Sequence, residues 1–142
     1  MFMILRSICV DDYNKGYFDL LGQLTKCVKP EFTDWYSFVT YLNPYHVVMV
    51  IEENEKIIAT GTLLVEQKII HDMGLVGHIE DIVIDTNYRG SGLGKQMVKY
   101  LMDLSKDKGC YKTILNCTQK NTLFYIACGL EEKGVQMVKY YE

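Results

Sequence analysis

Two spacings of apolar residues alternate along the chain, and together they divide it into elements. Phe2 to Ile8 is dense enough in apolar residues for a first strand. Asp11 or Asp12 then caps a predicted helix running to about Leu24, with Tyr13, Tyr17, Leu20, Leu21 and Leu24 on its buried side. Pro30 breaks the chain, and Thr33 caps a second helix carrying Trp35, Phe38, Tyr41 and Leu42, which Pro44 stops. His46–Glu52 and Lys56–Gln67 are rich in β-branched residues and flank Glu53-Asn54-Glu55, which predicts a hairpin. An irregular stretch, Lys68–Gly77, leads to the strand Ile79–Ile84. Leu93, Met97, Leu101 and Leu104 then recur at helical spacing across Ser91–Lys108, and Gly109 supplies the C-cap. Tyr111–Cys117 reads as a strand parallel to Ile79–Ile84, because a helix joins the two. Asn121–Cys128 is a short helix ended by Gly129, and Val135–Tyr141 is a closing strand. This order predicts an α/β (α+β) fold with a mixed central sheet flanked by helices.

Between the Ile79–Ile84 strand and the following helix lies Tyr88-Arg89-Gly90-Ser91-Gly92-Leu93-Gly94-Lys95. Glycines at alternate positions let backbone N–H groups turn inward, and a helix start adds its dipole, which together suit a phosphate. Spacing excludes two familiar phosphate loops. Lys95 stands where a dinucleotide loop needs its third glycine, and Gln96 stands where a P-loop needs Ser or Thr. What remains, Arg89-x-x-Gly92-x-Gly94, resembles the acetyl-coenzyme A pyrophosphate loop of the GNAT N-acetyltransferase superfamily.

Composition narrows the class further. A chain of 142 residues with 49% hydrophobic content suits one domain, residues 1–142, able to bury roughly two-thirds of its unfolded surface. A formal charge of −3 argues against nucleic-acid binding. Five cysteines without a C-x-x-C arrangement read as reduced thiols. The chain has neither a recognisable signal peptide nor an apolar run near the ~20 residues of a membrane span. A cytoplasmic protein with no membrane association is the expectation.

Glu80 and Asp81 interrupt an otherwise apolar strand and point to opposite faces if that strand is regular. Either the strand is solvated there, or a local bulge presents both carboxylates to a cationic amine. Tyr125, by its spacing alone, suits a core position. Lys68 and His71 flank Ile69-Ile70 as ordinary surface residues would. No His, Cys or carboxylate set has metal-ligand spacing, so no metal is expected.

Across nearly its whole length the sequence resembles the glucosamine-6-phosphate N-acetyltransferase family. The resemblance is carried by Leu21-Gly22-Gln23-Leu24-Thr25, Glu66-Gln67-Lys68-Ile69-Ile70-His71 and Gly77-His78-Ile79-Glu80-Asp81-Ile82-Val83. It continues through the glycine loop, Gly109-Cys110-Tyr111-Lys112, Cys117-Thr118-Gln119-Lys120-Asn121, Phe124-Tyr125 and Cys128-Gly129. It implies acetyl transfer from acetyl-CoA to the amine of an amino-sugar phosphate, glucosamine 6-phosphate, on the route to UDP-N-acetylglucosamine. Thr25, Lys68, Ile69, Ile70, His71, Glu80 and Asp81 would then meet the sugar phosphate. The backbone of Ile82, Val83 and Ile84 would hold the pantetheine arm. Arg89, Gly90, Ser91, Gly92, Leu93, Gly94 and Lys95 would wrap the pyrophosphate, with Asn121 and Tyr125 near the sulfur. Glu80 and Asp81 would orient the amine, and Tyr125 would protonate the leaving thiolate. The chain departs from the family pattern at Asn116, where an acidic residue is usual, and at Lys139 and Tyr140, where an Arg is usual. The resemblance also implies a homodimer joined at the C-terminal end, with acceptor contacts shared between copies. The alternatives at this level are a GNAT enzyme for another small amine or a protein amine, and a non-catalytic acyl-CoA-binding module.

Overall fold

Strands β1 (Met3–Ser7), β2 (His46–Glu53), β3 (Lys56–Gln67), β4 (Leu75–Ile84) and β5 (Cys110–Ile114) form one sheet in that order. This is a computed structural model, and it describes residues 2–141. The first four strands run antiparallel to their neighbours, and β5 joins β4 in parallel. The sheet is therefore mixed, as the element order predicts. Asn54 and Glu55 both have positive φ, 49° and 60°. That pairing is the left-handed two-residue turn whose twist matches a hairpin.

Helix α4 (Leu93–Asp107) buries Leu93, Met97, Val98, Leu101 and Ser105 at three- and four-residue intervals. The four apolar ones pack with Met49, Ile51, Leu63, Val65 and Ile79 on one face of the sheet. The other face of β2 and β3 is covered by α1 (Tyr17–Leu21) and α2 (Phe32–Tyr41). There Tyr17, Phe18 and Trp35 enclose Val48, Val50, Ile57 and Val83. The rings of Phe18 and Trp35 meet edge to face at 5.1 Å.

The helix expected from Asp11 or Asp12 to Leu24 is broken in two. Asp12 is fully buried and accepts the Cys9 N–H (2.9 Å) and two bonds from Arg6 (2.9 and 2.7 Å). Val10–Asn14 is consequently a 3-10 turn. The Lys15 carbonyl is drawn away to accept from Ile57 N–H at 2.9 Å, and Gly16, at φ 78°, turns the chain into α1. A buried ion pair and a sheet bond thus override helical spacing. Glu31, rather than Thr33, precedes α2. Strand β4 begins at Leu75, four residues before the expected start, so the irregular stretch shrinks to Lys68–Gly74. Within it, α3 (Ile70–Met73) is one turn in which His71, Asp72 and Met73 all have positive φ.

The expected closing strand, Val135–Tyr141, is not a strand. Its Val135, Met137, Tyr140 and Tyr141 are more than four-fifths exposed. Its β-branched and aromatic residues suit a strand, but a ladder needs a neighbouring strand, and none among the described residues pairs with this segment.

Candidate active site

The site is built at a defect in the β3–β4 ladder. Thr60 pairs with Val83 and Thr62 with Glu80, which leaves Gly61 alone opposite Asp81 and Ile82. This is a β-bulge, and its extra residue, Asp81, lies at φ 53°. Paired residues share a face, so Glu80 stands with Thr62. Thr62 and Asp81 line one cleft. The bulge therefore turns Asp81 to the side of Glu80, whereas a regular strand would have sent the two carboxylates to opposite faces. Ile82 goes to the α4 side, where it packs against the core around Met97 and Leu101.

The cleft encloses about 520 Å³. Tyr17, Phe18, Trp35 and Phe38 form its aromatic wall, and Asp34, His46, Thr62 and Asp81 supply its polar groups. Phe38 meets the His46 ring edge to face at 5.9 Å. Asp34, His46 and Thr62 are not among the site residues read from the sequence. The one signal for them was the pair of hydroxyl residues, Thr60 and Thr62, inside an otherwise apolar strand.

On its other edge β4 pairs with β5 only as far as His78 and Ile114, although β3 accompanies it to Ile84. The two strands part beyond that point and leave the β5-facing edge of Glu80–Ile84 outside any ladder. Arg89 Nε donates to the Ile84 carbonyl at 3.3 Å, at the end of the opening. Then comes the glycine turn, with Gly90 and Gly92 at φ 81° and 89°. Gly92 is the N-cap of α4 and no side chain caps the helix, so the donors of its first turn are available to an anion. The turn itself is braced from behind. Ser91 Oγ donates to the Tyr88 carbonyl, and Tyr88 Oη donates to the buried Glu53 at 2.8 Å. Asp85 accepts the Asn87 N–H at 2.9 Å.

Helix α5 spans Thr122–Ala127. A Cβ added at Gly94 would lie 3.2 Å from Phe124 Cζ, so Gly94 lets α5 rest on the first turn of α4. Tyr125, next along, is half-buried against the core beneath α4. Burial pushes its phenol above the ordinary value of 10.0, and the nearby thiols of Cys117 and Cys128 reinforce the shift. Asn121 is the residue before α5.

The structure thus sets Glu80–Ile84 and Arg89–Lys95 along one bulge and one strand opening, with α5, which follows Asn121 and carries Tyr125, resting on the first turn of α4. The other expected residues lie on the segments that follow α1 and β5, at the hairpin tip and on the C-terminal segment. Thr25 is exposed beyond α1, and Asn116 is exposed beyond β5. Lys68 and His71 occupy the tip of the β3–β4 hairpin, where Lys68 Nζ pairs with Glu66 at 3.1 Å and His71 stacks on Tyr111 at 4.3 Å. From the Thr62–Glu80 pair to the Gln67–Leu75 pair is five steps of strand, roughly 17 Å. Lys139 and Tyr140 lie on the exposed C-terminal segment, with Lys139 over the Tyr141 ring at 5.7 Å.

A bulged strand, a strand opening and a glycine turn at an uncapped helix define an acyltransferase frame. The model of the acetyltransferase (GNAT) family matches residues 7–129. The chain is 42% identical over 143 residues to a glucosamine 6-phosphate N-acetyltransferase of Arabidopsis thaliana, covering 97% of this chain and 96% of that protein. It is 41% identical to glucosamine 6-phosphate N-acetyltransferase 1 of Dictyostelium discoideum, over 95% and 88% of the two chains. The crystal structure of glucosamine-6-phosphate N-acetyltransferase from Arabidopsis thaliana superposes with a TM-score of 0.93 at 41% identity, with both chains fully covered. An acetyltransferase from Trypanosoma brucei gives 0.90 at 30% identity, over 99% and 100% of the two chains. The chain belongs to the GNAT acetyltransferase family.

Proposed function

We propose that the protein transfers the acetyl group of acetyl-coenzyme A to the 2-amino group of D-glucosamine 6-phosphate, giving N-acetyl-D-glucosamine 6-phosphate and coenzyme A. The carrying observation is the bulge that places Glu80 and Asp81 on the cleft side where β4 leaves β5. Similarity over nearly the whole chain to relatives of that name supports the choice of sugar.

The coenzyme suits the groups present. Gly90 and Gly92 bend the chain so that the free N–H groups of α4 meet a diphosphate, with Arg89 and Lys95 as cations. The open edge of Ile82–Ile84 suits an amide-bearing arm. When bound, acetyl-coenzyme A supplies an activated thioester. Glu80 and Asp81 accept hydrogen bonds from the sugar amine and orient its neutral form toward the thioester carbon. A backbone N–H on the open edge of β4 donates to the carbonyl oxygen, where negative charge develops. The C–N bond forms, the C–S bond breaks, and the amine proton leaves by way of the carboxylates. Tyr125 gives its phenolic proton to the sulfur, a role for which a raised pKa keeps it protonated at neutral pH.

In this reading Thr25 and Asn116 border the acceptor. Lys68, Ile69, Ile70 and His71, too far from Asp81 in their own chain, serve the site of a second copy, as do Lys139 and Tyr140. The exposed Val135–Tyr141 segment supports such a homodimer, since an apolar strand-like segment needs a neighbour. The protein works in the cytoplasm, where free thiols persist, and its product leads toward UDP-N-acetylglucosamine. The test is thiol release with glucosamine 6-phosphate and with glucosamine. Strong preference for the phosphorylated sugar is expected, and equal turnover of both would overturn the acceptor assignment.

A further inference from the structure

The glycine turn and the acceptor side of the molecule are joined by one side chain. Thr86 opens the 3-10 turn Thr86–Tyr88 that leads into Arg89 and the glycines. Asn87 and Tyr88 find acceptors for their N–H groups in the side chain and carbonyl of Asp85, within the same turn. The Thr86 N–H instead donates to Oε1 of Gln23, at 3.0 Å and 63 residues away in sequence. Gln23 follows α1, in a segment tied to that helix by successive bonds. The N–H groups of Gln23, Leu24 and Thr25 donate to the carbonyls of Leu20, Leu21 and Leu21, at 3.0, 3.0 and 3.2 Å. Leu21 and Cys27, on either side of this segment, line the Asp81 cleft. The Thr86–Gln23 bond thus ties the root of the glycine turn to a segment that lies between two residues of the cleft wall.

We propose that Gln23 is a positioning residue that couples the two substrate sites. It touches neither reacting group. Its amide oxygen fixes the Gly22–Thr25 segment to the root of the coenzyme turn, so that a turn ordered on phosphate also orders the cleft wall. Coupling between sites is reciprocal, and its size is bounded by the bond that carries it. One neutral, exposed hydrogen bond limits it to roughly two- to tenfold in affinity. The proposal rests on the acceptor assignment above.

Calorimetry on the full chain tests it, titrating glucosamine 6-phosphate into free protein and into protein saturated with coenzyme A, which cannot turn over. Wild type should bind the sugar phosphate several-fold more tightly with coenzyme A present. Gln23→Ala should bring that ratio close to one, while coenzyme A affinity alone and thermal unfolding stay as in wild type. Gln23→Glu, which keeps an acceptor oxygen at the same reach, should retain the ratio. A Gln23→Ala ratio equal to wild type, or a Gln23→Glu ratio that falls with it, would overturn the proposal. Absence of sugar-phosphate binding in both states of wild type would strike the acceptor assignment and remove the proposal with it.

Discussion

Gly61 faces Asp81 and Ile82 across the β3–β4 ladder, one residue against two, and this mismatch aims the acidic pair. A Cβ at Gly61 would lie 2.6 Å from Ile82 Cδ1, 2.8 Å from a Leu101 methyl and 3.0 Å from Met97 Cγ. The glycine admits Ile82 to the α4 side, and the bulge can then leave Asp81 on the cleft side. Gly61→Ala is expected to cost about 1–3 kcal/mol, the usual penalty for overpacking a core. It should lower turnover beyond what the stability loss explains, because Ile82 cannot yield without moving Asp81. Thermal unfolding and kcat measured on the same samples check both halves.

Asp81 itself carries two demands, a positive φ and a charge. Asn tolerates that backbone region as Asp does and keeps the shape of the side chain. Asp81→Asn should therefore unfold within about 0.5 kcal/mol of wild type, the ordinary scale for a substitution that breaks no contact. Its acetyl transfer should fall sharply, with coenzyme affinity unchanged. Asp81→Val should lose both, since a β-branched residue resists φ 53°.

Part of this was legible in the chain. Asn54-Glu55 between β-branched runs gave the hairpin, and the glycines at the end of the strand gave the turn into α4. Both signals are local, a spacing plus residues that tolerate particular dihedrals. Glu80-Asp81 within an apolar strand pointed either to a solvated stretch or to a bulge, and both hold, since the ladder is bulged there and both residues are exposed. The aromatic cleft was not legible, because Tyr17, Trp35 and His46 meet only after α1 and α2 fold across β2. The break at Gly16 was hidden as well, since Tyr13, Tyr17, Leu20 and Leu24 keep helical spacing through it. The Asp12–Arg6 pair and the Lys15–Ile57 bond, which help end that helix, reach β1 and β3 and are tertiary. The C-terminal segment misled for a related reason, as β-branched and aromatic residues predict a strand but supply no neighbour.

If Tyr125 is the proton donor proposed above, its phenol sets a pH dependence. Burial raises its pKa above 10.0, with Cys117 and Cys128 adding to the effect, so the proton donor is lost only on the alkaline side of that value. The kcat profile of wild type should hold through neutral pH and decline above the ordinary tyrosine range. Tyr125→Phe should reduce kcat by roughly 10²-fold or more and abolish that alkaline limb, with coenzyme affinity retained. A steady-state pH series of the two proteins decides it.

Acid should weaken the fold through the cluster around Arg6. Burial pushes Asp12 upward, yet bonds from Arg6 and the Cys9 N–H outweigh it and hold the carboxyl below 3.8. Bonds from Arg6 and Lys15 hold Glu52 below 4.5. A depressed carboxyl stabilises the fold above its unfolded pKa and loses that contribution as pH falls through the folded one. Stability should accordingly decline as pH drops below about 4.5. Arg6→Met strands the buried Asp12 and should cost about 3–5 kcal/mol near neutral pH. Its stability should then vary less with acid than that of wild type, which denaturant titrations at several pH values will show.

Complementation between damaged copies tests whether the acceptor site is shared. Lys68 lies at the hairpin tip, roughly 17 Å of strand from the Thr62–Glu80 pair beside Asp81 in the same chain. If Lys68 serves the site of a two-fold partner, then Asp81→Asn and Lys68→Ala damage one functional site from opposite chains. Each homodimer carries the same lesion twice. A heterodimer of the two variants places both lesions in one site and leaves the other with intact Asp81 and Lys68. Random mixing makes about half the dimers heterodimers, so about a quarter of all sites should regain wild-type activity. Activity of the coexpressed, purified mixture should therefore exceed the mean of the two variants and approach that fraction. Size-exclusion chromatography with light scattering should report a dimer throughout. A mixture no more active than the mean would place Lys68 and Asp81 in the service of the same chain and would end the shared-site model.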